Sequence, residues 1–132
     1  MIVSIGIDIV EVYRIRDTIE RTPHFLDRVF TAFEKEYCHQ RGKAAAESFA
    51  GRYAAKEALL KALGTGWRGD ISWTDIEIGN DEHGAPSVRV ERAVKLKMKE
   101  LGVDKIHISI SHTKEHAVAQ IILERLTNLD TR

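Results

Sequence analysis

A long helical stretch lies in the middle of this chain, from about Ala44 to Leu63, and Gly64 stops it. A helix of that length runs roughly 30 Å, about the width of a small domain, so everything else must pack around it. The two ends of the chain alternate instead. In residues 2–8, Val3, Ile5 and Ile7 point one way and Ser4, Gly6 and Asp8 the other. This predicts a strand with an apolar face, whose polar face is closed by Asp8. In "KIHISIS", Ile106, Ile108 and Ile110 are expected inward and His107, Ser109 and Ser111 outward. One central helix between strand-forming ends, in 132 residues, predicts a single domain of the α+β class. Its expected form is a small, mainly antiparallel sheet packed against one long helix and several short helices. The last few residues, past about Leu126, read as a tail.

Residues 10–21 are helical in character. Thr22-Pro23 offers an N-cap with proline at the first helical position, so a short helix is expected to start there. Thr31 and Glu34 have capping-box spacing, which predicts a helix to about His39, ended by Arg41-Gly42. "WTDIEI" and "PSVRV" flank "GNDEHGA" and read as a hairpin with a long polar loop. Residues 91–101 form an amphipathic helix with Val94, Met98 and Leu101 on one face. "HTKEH" then turns the chain into a final strand, "AVAQIIL".

A composition of 43% hydrophobic and 30% charged residues is that of a globular chain, not a disordered one. Net charge is zero, so no global field draws the chain to nucleic acid or to a membrane surface. No apolar run is long enough to span a bilayer. "MIVSIGIDIV" lacks a basic leader and a cleavage site and carries Asp8, so it reads as a strand and not as a signal peptide. Cys38 is the sole cysteine, which excludes an intrachain disulfide and suits a reducing compartment. A cytoplasmic protein is expected.

The central helix carries the chemistry. In "FAGRYAAKEALLKALGTG", Phe49, Tyr53, Leu60 and Leu63 fall on one stripe, the expected core face. Glu57 and Lys61 fall beside it, with Ala50 and Ala54. Gly51 costs about 1 kcal/mol against alanine in a helix interior, a cost that makes sense where another backbone or a ligand comes close. Glu57 and Lys61 alone could be a surface ion pair worth about 0.2–0.5 kcal/mol. Asp8 at a strand end adds a second carboxylate. Two carboxylates can hold Mg²⁺, which keeps waters and fills its shell with substrate phosphate oxygens. A nearby lysine then offsets charge on a leaving phosphate. Asp8, Glu57 and Lys61 therefore have the chemistry of phosphoryl-type transfer.

Four segments in this order, "GIDIVEVYRI", "FAGRYAAKEALLKALGTG", "DIEI…GAP" and "ISISHTKEHAVA", resemble the small single-domain class of 4′-phosphopantetheinyl transferases, the holo-acyl-carrier-protein synthases. The likeness reaches to about Leu126. It implies transfer of the 4′-phosphopantetheine arm of coenzyme A to a serine of apo-acyl carrier protein, in support of fatty acid biosynthesis, with adenosine 3′,5′-bisphosphate as the other product. It implies Mg²⁺ held by Asp8 and Glu57, and Lys61 stabilising or protonating the leaving bisphosphate. The base for the serine stays open among Glu57, Asp8 and a water. The resemblance also implies a homotrimer with active sites between subunits.

Further site residues follow from the same likeness. Arg52 would stand near the 3′-phosphate, Gly66 and Pro86 would form walls of the adenine site, and His107, His112 and Thr113 would border the nucleotide. Arg14, Arg21 and Arg28 would dock the acidic carrier protein, although Asp17, Glu20 and Asp27 dilute their charge. Two rival readings share the residues: another Mg²⁺-dependent phosphotransferase acting on a small molecule, and a non-catalytic oligomeric binding module.

Overall fold

The structure, a computed structural model, describes residues 1–66 and 69–126; the expected tail lies outside the described residues. Ten elements follow in order: β1 (Ile2–Glu11), α1 (Val12–Arg21), α2 (Phe25–Val29), α3 (Ala32–His39), α4 (Ala45–Leu63), β2 (Ile76–Asn80), β3 (Pro86–Val90), α5 (Arg92–Glu100), β4 (Lys105–His112) and β5 (His116–Glu124). The class is α+β, as expected. The sheet, however, is two sheets: a three-stranded one in the order β1-β5-β4, and the separate hairpin β2-β3. Every pairing is antiparallel.

α4 is the centre of the molecule. Phe49, Ala50, Ala54, Ala55, Ala58, Leu59, Leu60 and Leu63 are all buried, and they reach round most of the helix. The single core stripe expected from the sequence is therefore too narrow. A helix whose residues are apolar or small all round is one with neighbours all round. Here the large sheet covers one side, the β2-β3 hairpin and α5 another, and α1 to α3 a third. Beneath the short helices, Phe30 and Phe49 meet at 4.9 Å between ring centroids, with Val12, Phe25 and Val29 around them. Each large side chain buried in this way contributes about 1.5–3 kcal/mol.

β1 alternates as expected from Ser4 on, but Val3, beside an irregularity in the pairing with β5, packs on the core and does not share the face of Ile5 and Ile7. Ser4, Gly6 and Asp8 turn toward α4, and the Ser4 hydroxyl donates to the Ala62 carbonyl at 2.6 Å. A Cβ at Gly6 would stand 1.9 Å from the Ala58 carbonyl oxygen and 2.9 Å from the Ala62 nitrogen, so strand and helix backbones touch there. Ile5, Ile7 and Ile9 face away and remain 56%, 56% and 64% exposed. On β4 the expectation holds: Ile106, Ile108 and Ile110 pack on the core.

Two local boundaries also differ. Thr22 closes α1, and α2 begins only at Phe25, after His24 in the left-handed region at φ +68°. Residues Trp73–Asp75 form a 3-10 turn ahead of β2, not part of the strand; the Asp75 carboxylate accepts from the Ser72 amide at 3.0 Å. The capping box at Thr31 and Glu34 is present as expected.

Candidate active site

Lys56 and Glu57 are neighbours on α4 with opposite fates. Lys56 is fully buried. Its ammonium donates to Glu34 Oε1 at 2.7 Å, to the Val29 carbonyl at 2.7 Å and to the Trp73 carbonyl at 3.2 Å. Glu34, also fully buried, accepts in addition from the Thr31 amide at 2.8 Å and the Ile78 amide at 2.7 Å. Burial pushes the Lys56 ammonium below the usual lysine range, and Glu34 draws it back up. Nothing in the sequence analysis singled out this pair. Only the capping-box spacing of Glu34 hinted that its carboxylate was committed.

One residue on, Glu57 is half-buried on the side of α4 that carries Lys61 one turn later. The Lys61 ammonium lies 2.7 Å from Asp8 Oδ1 and 3.1 Å from the Ile7 carbonyl. The Gly6 contact brings β1 this close, so strand and helix share one site; β1 runs on to Glu11, and Asp8 lies within it, paired with Ala119, not at its end as expected. Tyr53, one turn before Glu57, reports on both carboxylates. Its phenol is pushed up to about 12, first by burial, then by the charge and hydrogen bonding of Glu57, and last by the charge of Asp8. The Tyr53 ring stacks on Trp73 at 5.1 Å and 26°. Asp8, Glu57 and Lys61, chosen from sequence, therefore stand together.

Among the described residues no three His, Cys, Asp or Glu side chains converge as a metal cage. Two oxygen donors beside one lysine suit a hard cation that takes its other ligands from water and phosphate. A softer metal would want nitrogen or sulfur.

A second group lies one and a half turns back along α4. A cavity of about 230 Å³ is lined by Tyr37, Arg41, Arg52, Asn80, Pro86 and His112, among others. Arg52 is buried, not the exposed helix arginine that its position allowed. Its guanidinium lies 4.2 Å above the Tyr37 ring, and its Nη2 donates to Asn80 Oδ1 at 2.7 Å. Its Nε is buried and has no acceptor. His112 Nδ1 pairs with Glu47 Oε1 at 3.0 Å. Gly51 admits β4 here: a Cβ would stand 3.0 Å from Ile110 Cγ2.

The remaining candidates separate. Gly66 follows the helix stop at φ +60° and is not among the residues lining this cavity; just before it, the buried Thr65 hydroxyl has no partner. Thr113 closes a turn, its hydroxyl accepting from the Glu115 and His116 amides at 3.2 and 3.1 Å. His107 lies on the opposite face of β4 from His112, 2.8 Å from Glu124, whose carboxyl it holds below the usual range. Within one chain it does not join His112 and Thr113.

Arg14, Arg21 and Arg28 are all exposed. Arg14 pairs with Glu11 at 2.9 Å. It also edges a larger cavity, about 520 Å³, whose walls include Ile9, Ile15, Phe25 and Tyr53. Tyr53 thus joins this cavity to the carboxylates.

Residues 4–121 match the model of the 4′-phosphopantetheinyl transferase superfamily. The chain is 48% identical over 127 residues to the holo-[acyl-carrier-protein] synthase of Geobacillus kaustophilus, covering 96% of this chain and 92% of that one. It is similar to the crystal structure of a holo-(acyl-carrier-protein) synthase from Bacillus anthracis in complex with CoA (3′,5′-ADP): TM-score 0.79, 40% identity, 96% of this chain and 99% of that one. It is also similar to the holo-[acyl-carrier-protein] synthase of Neisseria meningitidis: TM-score 0.83, 36% identity, 95% of this chain and all of that one.

Proposed function

The chain belongs to the 4′-phosphopantetheinyl transferase superfamily, and from that premise we infer that it is a holo-[acyl-carrier-protein] synthase. It transfers the 4′-phosphopantetheine arm of coenzyme A to a serine of apo-acyl carrier protein and releases adenosine 3′,5′-bisphosphate. The observation that supports this most directly is the contact of Lys61 with Asp8 beside Glu57, where β1 and α4 present two carboxylates and one ammonium together.

In the reaction the serine oxygen attacks the phosphorus that bears the pantetheine arm, and the bond from that phosphorus to the bisphosphate oxygen breaks. We assign Asp8 and Glu57 to Mg²⁺, which when bound polarises that phosphorus and offsets diphosphate charge. Lys61 is half-exposed and keeps donor capacity beyond Asp8 and Ile7, so it can meet the leaving phosphate. The serine proton goes to Asp8, Glu57 or a water that they hold. Arg52 and His112 give the second cavity cationic and donor character, and the orphaned Nε of Arg52 favours an anionic acceptor there. The 3′-phosphate of coenzyme A fits that chemistry, with Pro86 at the wall. Incubating apo-carrier protein, coenzyme A, Mg²⁺ and this chain should add the mass of one phosphopantetheine arm. An unchanged carrier mass would overturn the reading.

The exposed face of β1 supports a reading of assembly. Ile5, Ile7 and Ile9 lie beside Ile122 and Val118 of β5, forming an exposed apolar strip on a sheet face. A strip of this kind marks an interaction site. We propose a closed homotrimer in which that face meets a neighbour. On this reading His107, isolated in its own chain, stands at a subunit boundary. Light scattering should give a trimer mass, and Ile7→Lys should shift it to the monomer. A wild-type monomer that is fully active at assay concentration would exclude the assembly.

The carrier protein is proposed to dock on Arg14, Arg21 and Arg28. Exposed charge pairs contribute only about 0–1 kcal/mol each and act mainly on encounter. The double variant Arg14→Glu, Arg21→Glu should raise KM for the carrier protein and leave KM for coenzyme A nearly unchanged. Added salt should mimic it. An unaltered carrier KM at low salt would place docking elsewhere. We also place the enzyme in the cytoplasm. Among the described residues no helix is long and apolar enough to cross a membrane.

A further inference from the structure

Arg52 is held from three sides, and only one of the three belongs to α4. Ser48, one turn earlier on the same helix, lies 3.4 Å from Nη1. The Tyr37 ring of α3 supports the guanidinium plane at 4.2 Å. The third is Asn80, the last residue of β2, which takes Nη2 at 2.7 Å through its Oδ1. The same Asn80 amide donates through Nδ2 to the Gly84 carbonyl at 3.0 Å. Its orientation follows from its partners. A guanidinium can only donate and a carbonyl can only accept, so the amide oxygen must face Arg52 and the amide nitrogen must face Gly84.

Gly84 lies in the loop of the β2-β3 hairpin, two residues before Pro86. The loop is otherwise closed on itself through Asp81, which accepts from the His83 and Ala85 amides at 2.8 and 2.9 Å. Asn80 is thus the side chain that joins this loop to the arginine of the second cavity. A long arginine loses about 1.5–2 kcal/mol of rotamer entropy when it is fixed. Asn80, Tyr37 and Ser48 fix it before any ligand arrives, which is how a site lowers the cost of binding.

We propose that Asn80 is a positioning residue for nucleotide binding: it locks the Arg52 guanidinium to the hairpin loop, so that Arg52 and the wall at Pro86 present one preformed anion site. This rests on the reading that Arg52 meets the 3′-phosphate of coenzyme A. Asn80 acts through Arg52 and is apart from the Asp8, Glu57 and Lys61 group, so its expected effect is on affinity and on selectivity for the 3′-phosphorylated nucleotide.

The test compares coenzyme A with 3′-dephospho-coenzyme A as co-substrates for the parent protein and for Asn80→Ala, Asn80→Asp and Arg52→Ala. Thermal melts check that each variant is folded. Asn80→Ala should raise KM for coenzyme A by about tenfold, the scale of one charge-assisted hydrogen bond. Its kcat should change far less, and KM for the dephospho analogue should hardly move. Asn80→Asp keeps the acceptor for Arg52 but loses the donor to Gly84 and adds a negative charge. It should lose at least as much preference for coenzyme A, and it serves as the reading if Asn80→Ala does not fold. If Arg52→Ala erases the preference for coenzyme A while both Asn80 variants retain it, the positioning role is overturned. If Arg52→Ala also retains it, the 3′-phosphate reading of Arg52 falls, and the positioning role with it. A loss confined to kcat, equal for the two co-substrates, would likewise overturn the proposal.

Discussion

Glu57→Gln is expected to lower kcat by about 10²–10³-fold, the scale for removing one electrostatic contributor to a transition state. Asp8→Asn should fall in the same range. Each swap is nearly isosteric, so the fold should survive and circular dichroism should be unchanged. The Mg²⁺ concentration needed for half-maximal rate should rise in both, since each removes one anionic oxygen donor. Asp8→Asn also takes the charge from the 2.7 Å partner of Lys61, so its effect should combine metal affinity with a less firmly held ammonium. Lys61→Ala separates the two: it should depress kcat more than it raises KM for coenzyme A, the mark of an interaction made in the transition state. Parent-like turnover of Asp8→Asn or Glu57→Gln at limiting Mg²⁺ would refute the shared site.

Lys56→Met should destabilise the protein by ~3–5 kcal/mol, because it leaves the carboxylate of Glu34 buried without its cation. Typical domains hold only about 5–15 kcal/mol in total, so the urea midpoint should drop sharply. The Thr31 and Ile78 amides remain as partial compensation. Glu34→Gln in the Lys56→Met background should recover part of the loss, since it removes the buried charge, while its single amide oxygen replaces only one of the two oxygens that accept from Thr31 and Ile78. A cost below about 1 kcal/mol for Lys56→Met alone would show that those two amides suffice for the carboxylate.

The contrast between Glu57 and Lys56 shows how far the sequence could be read. Strands and caps with short-range signals were legible: the alternation of β4, the capping box at Thr31 and Glu34, and the glycine stop after α4. Asp8, Glu57 and Lys61 were found through their chemistry and a family likeness, and the structure brings them together. The Glu34–Lys56 bond was not legible, since it joins residues 22 apart in sequence by packing alone. Alternation in β1 gave two faces without saying which was covered. The close packing of α4 settles it, with Gly6 and Ser4 on the covered side and Ile5 and Ile7 on the open one. The alanines on every side of α4 were the available clue to its all-round burial. A serine three residues before Asp75 was the overlooked sign that Trp73–Asp75 would turn and not extend.

Gly6 rests against the backbone of α4 with no side chain between them. The spacing between the strand that carries Asp8 and the helix that carries Glu57 and Lys61 is therefore already at its lower limit. A substitution at Gly6 can only force the two elements apart; it cannot draw them closer. The tolerance of the site is one-sided. Drift in this part of the sequence moves the two carboxylates in a single direction, toward a wider gap, and a second change elsewhere can restore the original distance but never shorten it.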